Sequence, residues 1–88
     1  MMFVIMAYDV NEKRVNKVLK TGRKYLTWIQ NSLLEGNITE AKFKKLKEEL
    51  KRITNEEEDS VIWYIFQGAG AVKKETQGVE KGREDLFL

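Results

Sequence analysis

Asp9 closes an unbroken apolar run, Met2-Phe3-Val4-Ile5-Met6-Ala7-Tyr8, and a basic cluster of Lys13, Arg14 and Lys17 follows it. A carboxylate at the end of a buried strand leaves the core and can either ligate a hard cation or accept the first N–H groups of a helix. The basic cluster can neutralise phosphates. The chain has no histidine and no cysteine, which excludes Ser-His-Asp and Cys-His mechanisms, zinc-thiolate sites and disulfides. Carboxylates, lysine, arginine, tyrosine and hydroxyls remain, together with an oxygen-bound ion such as Mg²⁺. Any catalysis is therefore expected to be metal-assisted.

Asp9 admits two readings at this point, a helix N-cap or a metal ligand. One carboxylate is a poor magnesium site, and Glu12 and Glu35 are not its local companions. In a symmetric dimer whose axis passes near the strand ends, two copies of Asp9 share one Mg²⁺, and a metal-activated water attacks a phosphodiester without imidazole.

The elements that position these groups follow from periodicity. Met2–Tyr8 reads as a buried strand, and Glu12–Lys24 as a basic amphipathic helix with Val15, Val18 and Leu19 on its apolar side. Tyr25–Glu35 is rich in strand formers and reads as one bent strand or two short ones, broken around Asn31 or Gly36. Asn37 and Thr39 are both candidate N-caps for a second helix, with Phe43, Leu46, Leu50 and Ile53 on one face and six Lys or Arg between residues 42 and 52. Glu56-Glu57-Glu58-Asp59 reads as a solvated connection, Val61–Phe66 as another apolar strand, and Gly68-Ala69-Gly70 as a hinge to a tail. The order is that of an α+β, ferredoxin-like βαββαβ sandwich with an extra C-terminal strand, and residues 1–88 form one domain.

Two strands apolar on both faces leave the open side of such a sheet greasy, so a homodimer is expected. Residues 68–88 form a linker and tail, and a strand near Thr76–Lys81 is expected to cover a sheet edge, with the partner's sheet as one place for it. Trp28, Trp63 and Tyr64 are read as core or interface rather than as base-stacking groups. A length of 88 residues allows a single core, and at 42% hydrophobic and 34% charged residues the chain reads as a globule. No apolar run approaches the ~18 residues of a spanning helix, and no basic segment precedes the first apolar run, so the expected location is cytoplasmic, with no membrane partner. Net charge is only +2, but residues 1–52 hold twelve Lys and Arg against six acids, whereas residues 53–88 hold four against eight. The first helix has only Glu12 as a nearby counter-charge, so Lys13, Arg14 and Lys17 are expected to meet a nucleic-acid backbone.

Four stretches together resemble the CRISPR-associated spacer-acquisition protein family, the small second core CRISPR-associated protein. They are Ala7-Tyr8-Asp9-Val10, Lys13-Arg14-Val15-Asn16-Lys17-Val18, Trp28 to Gly36, and Asp59-Ser60-Val61-Ile62-Trp63-Tyr64, with a weaker match at Gly78-Val79-Glu80-Lys81. The resemblance implies a ferredoxin-like homodimer with a tail strand crossing to the partner. It also implies a Mg²⁺-dependent endonuclease acting on RNA or DNA, with Asp9 as catalytic metal ligand and Arg14 on nucleic acid, which bridges dimers of the associated integrase. Gln30 and Ser32 match the family's central motif, with a structural part. Trp28 stands where arginine is frequent and Leu34 where phenylalanine is. The alternatives are a non-catalytic DNA-binding adaptor in the same complex and a toxin-like ribonuclease of the same fold.

Overall fold

A computed structural model describes residues 1–80 as β1 (Met2–Asp9), α1 (Glu12–Arg23), β2 (Thr27–Gln30), β3 (Leu33–Ile38), α2 (Glu40–Ile53), β4 (Ser60–Phe66) and β5 (Val72–Gly78). The strands form one antiparallel sheet in the order β2-β3-β1-β4-β5, which is the expected ferredoxin-like α+β arrangement with an added fifth strand.

The centre of this sheet is fixed by β1, which pairs with β3 on one side and β4 on the other. Side chains alternate across a strand, so one face of β1 carries Met2, Val4, Met6 and Tyr8, all buried, and the other carries Phe3, Ile5 and Ala7, half-buried. The buried face meets the helices through Val18, Phe43, Leu46 and Leu50. Trp63, opposite Met6, is fully buried and stands edge-on to Phe43, with ring centroids 4.9 Å apart. Gly22 lets α1 approach the sheet, since a Cβ there would stand 3.0 Å from Leu34 Cδ2.

The helix starts resolve the open choices. Asn11 caps α1, its side chain accepting from Lys13 N, so Asp9 is not the cap. Thr39, rather than Asn37, caps α2 by accepting from Lys42 N. The break between the middle strands falls at Asn31, whose φ of 43° makes the tight reversal, while Gly36 continues β3.

The tail strand begins earlier than expected. β5 covers residues 72–78 rather than 76–81, because Gly68, Ala69 and Gly70 all take positive φ and turn the chain straight back onto its own β4. The end of the expected tail, residues 81–88 with Leu86 and Phe87, lies outside the described residues. No helix among the described residues is long and apolar enough to cross a membrane.

Candidate nucleic-acid and metal site

Asp9 is the last residue of β1 and is exposed. Its odd number sets it on the face of β1 that carries Phe3, Ile5 and Ala7, the side of the sheet without helices. Across the strand it is in register with Ser60, which is buried.

The residue before Ser60 governs this end of the sheet. Asp59 is 1% exposed, and its carboxylate accepts four N–H groups from three residues in two segments. Asn11 N donates to Oδ1 at 2.8 Å, Asn55 N donates to Oδ2 at 2.8 Å, and Arg14 gives Nε to Oδ2 at 2.5 Å and Nη2 to Oδ1 at 3.1 Å. Burial is the largest single influence on this carboxyl and pushes its pKa up. The bonds from Arg14, Asn55 and Asn11 together outweigh it and hold the pKa at about 2. The backbone of Asp59 adds a third segment, since its carbonyl accepts from Val79 N at 3.0 Å. Gly78 makes this approach possible: at φ 82° it passes so close to the Asp59 carbonyl that no Cβ fits.

The expectation of a solvated acidic connection therefore fails at Asp59. Glu56, Glu57 and Glu58 are exposed, but Asp59 is drawn inward because it answers N–H groups that a closing sheet would otherwise bury unpaired. Nothing local in the sequence pairs Asp59 with Arg14, which lies 45 positions earlier.

Arg14 likewise differs from the rest of its cluster. Its Nη2 also donates to Glu58 at 2.7 Å, and these bonds, first among them that to Asp59, favour its charged form. The helix is thus less uncompensated than its own sequence suggests. Glu58 and Asp59 answer Arg14, and Glu49 of α2 answers Lys24 and also accepts from Tyr25 Oη. Its fork onto the buried Asp59, with the exposed Glu58 as a second partner, makes Arg14 a strut beneath the β1–α1 turn.

Lys13 and Lys17 point elsewhere. Together with Lys20 and the C-cap Lys24, which pairs with Glu49, they recur at positions i, i+4, i+7 and i+11 and line one exposed stripe of α1 and its C-terminal end. Lys17 and Lys20 make no ion pair among the described residues. Trp28, expected in the core, is 45% exposed on the edge strand β2, whereas Trp63 is buried and Tyr64 half-buried on the open face.

No group of three or more acidic side chains that could hold a metal ion occurs among the described residues. One chain thus offers a divalent cation fewer than three carboxylates around Asp9, too few oxygens for a site of its own.

The family model of CRISPR associated protein Cas2 matches residues 2–73. The chain belongs to this family. It is 58% identical over 87 residues to the CRISPR-associated endoribonuclease Cas2 of Dictyoglomus turgidum, covering 99% of this chain and 100% of the relative. It is 55% identical to the protein of the same name from Thermotoga maritima, covering 99% of each. A crystal structure of Cas2 at 44% identity superposes with a TM-score of 0.73 over 92% of this chain and 91% of that one. Membership in the Cas2 family agrees with the resemblance carried by the Tyr8-Asp9 strand end and the Trp28–Gly36 segment.

Proposed function

We propose that this Cas2-family chain works as a homodimer, a Mg²⁺-dependent endonuclease of the CRISPR spacer-acquisition step that cleaves RNA or DNA at two facing Asp9 carboxylates. The observation that carries the reading is the position of Asp9 on the same face of β1 as Phe3, Ile5 and Ala7. Tyr64 and Phe66 extend that face on β4, opposite Ile5 and Phe3. Covering it with a second copy removes a contiguous apolar area from water and brings the two Asp9 strand ends toward one axis. The carboxylate that is insufficient alone is then doubled, so the ion belongs to the pair and not to either chain.

Mg²⁺ held there supplies Lewis-acid activation of water and phosphodiester. The chain itself contributes the placement of Asp9 through the Asp59–Arg14 strut and the capture of phosphates by Lys13 and Lys17. The relatives' name, endoribonuclease, agrees with this chemistry. Asp9→Asn is expected to abolish Mg²⁺-dependent cleavage while leaving binding intact; equal cleavage by both proteins refutes the role of Asp9.

A second reading, an adaptor that holds DNA and bridges integrase dimers without cleaving, is favoured by the lysine stripe, which needs no metal to grip a backbone. The same Asp9→Asn protein separates the two, because an adaptor keeps full spacer-integration activity when that carboxylate is lost.

A further inference from the structure

The side of the sheet without helices is apolar along β1 and β4 but bounded by charge. The cross-strand registers join Glu35 of β3, Ile5 of β1, Tyr64 of β4 and Lys74 of β5 into one row running across the sheet. All four side chains belong to that side, because their strand neighbours belong to the other. Leu34, Val4 and Trp63 are buried in the core with the helices, and Lys73 and Glu75 share a recess with Lys47 of α2. The row thus has a negative end, an apolar centre and a positive end. Its two charges stand three strand spacings apart, about 14 Å, too far to meet within one chain.

Two copies packed face to face can be related by a two-fold axis in either of two directions. With the axis along the strands and between β1 and β4, the row of one copy lies over that of the other in reverse order. Glu35 then stands over the partner's Lys74, Lys74 over the partner's Glu35, and Ile5 over the partner's Tyr64. With the axis across the strands, along the row itself, each residue lies over its own copy, so glutamate meets glutamate and lysine meets lysine. Facing sheets stand about 10 Å apart, a gap that long side chains reaching from both sides close. The first arrangement forms two ion pairs at the rim of an apolar contact, and the second opposes like charges twice. The arrangements also differ at the strand ends, since the first keeps both Asp9 residues at one end and the second sends them to opposite ends.

We propose that Glu35 and Lys74 fix how two copies of this chain face each other, through reciprocal ion pairs that select the arrangement in which the two Asp9 carboxylates meet. The proposal rests on the dimer reading above and adds the orientation and the residues that set it. The apolar centre leaves that choice open, because hydrophobic contact is non-directional.

Charge reversal in the full chain tests the pairing. Glu35→Lys opposes two lysines at each rim contact, and Lys74→Glu opposes two glutamates. Each is expected to raise the dimer dissociation constant by about 10- to 100-fold in low-salt sedimentation, an effect that shrinks at high salt. The chain carrying both substitutions regains the pairs with their signs exchanged and associates like wild type. Circular dichroism is unchanged throughout, since both side chains lie outside the core. In wild type, a carbodiimide, which joins a carboxylate to an amine only at contact distance, couples Glu35 of an isotope-labelled copy to Lys74 of an unlabelled one. If wild type dimerises but either single reversal associates as tightly, the double reversal stays dissociated, or no such inter-chain link forms, the pairing is overturned and the dimer reading stands. A monomeric wild type overturns both.

Discussion

Arg14 and Asp59, separated by 45 positions, are joined by two N–H···O bonds from one guanidinium to both oxygens of one buried carboxylate. Such a fork fixes orientation as well as distance. The same carboxylate holds Asn11 N, two residues beyond Asp9, so the pair sets where the strand ends and where the helix begins.

Removing the carboxylate is expected to cost more than the loss of a surface charge. Asp59→Ala strands the N–H groups of Asn11 and Asn55 and removes the partner of Arg14, a loss of about 2–4 kcal/mol. Urea unfolding measures it, and an unchanged midpoint contradicts the strut.

Acid titrates the same group. Because its folded pKa is depressed from 3.8 to about 2, Asp59 contributes about 2 kcal/mol that is fully present above pH 4 and is lost as pH falls toward 2. Glu49, held low by hydrogen bonds from Lys24 and Tyr25, and Glu75, held low by Lys47, act in the same direction. Thermal melts between pH 5 and pH 2 are expected to fall more steeply for wild type than for Asp59→Asn, which starts lower and changes less.

The attachment of β5 is a separate matter. Trp63 Nε1 donates to Gln77 Oε1 at 2.8 Å, and Gln77 Nε2 donates to Lys47 O at 3.0 Å, so one amide links the core indole to α2. Gln77→Leu leaves the indole N–H buried and unpaired, at about 1–3 kcal/mol. Gly78→Ala adds a Cβ where the Asp59 carbonyl already stands and is expected to free the strand. Hydrogen exchange at Thr76 and Val79 reads the release; continued protection in Gly78→Ala shows that the strand tolerates the change.

The open sheet face carries the proposed association. Ile5→Glu sets a charge at the centre of that face, opposite Tyr64 and Glu35, and is expected to yield a monomer in sedimentation at micromolar concentration. A monomeric wild type under the same conditions removes the paired-Asp9 site altogether.

Phosphate contact is read by salt. Affinity for duplex DNA is expected to fall log-linearly with salt, and Lys17→Ala to reduce the slope by about one. Arg14→Ala, whose guanidinium is committed to Asp59 and Glu58, acts on stability first, so its binding slope stays close to that of wild type.

Periodicity made the elements legible. The apolar runs at Met2–Tyr8 and Val61–Phe66, and the helical spacing of Phe43, Leu46 and Leu50, give the sheet and helices with ends within a few residues. The misread residues are those whose environment is set by distant partners. Asp59 looks solvated because its neighbours are Glu56, Glu57 and Glu58, yet its partners Asn11 and Arg14 come from the opposite end of the chain. Trp28 looks like a core residue by type, but β2 is an edge strand and all four of its residues are exposed. Asp9 itself was legible as a strand end, and its face became readable only once β1 had its register.

The three segments gathered by Asp59 also order events during synthesis. Residues 9–14 leave the ribosome well before Asn55 and Asp59, and Val79 follows later still, so the turn bearing Asp9 stays unpinned until most of the chain has emerged. A nascent or truncated chain ending before residue 59 carries the proposed cleaving carboxylate without its support.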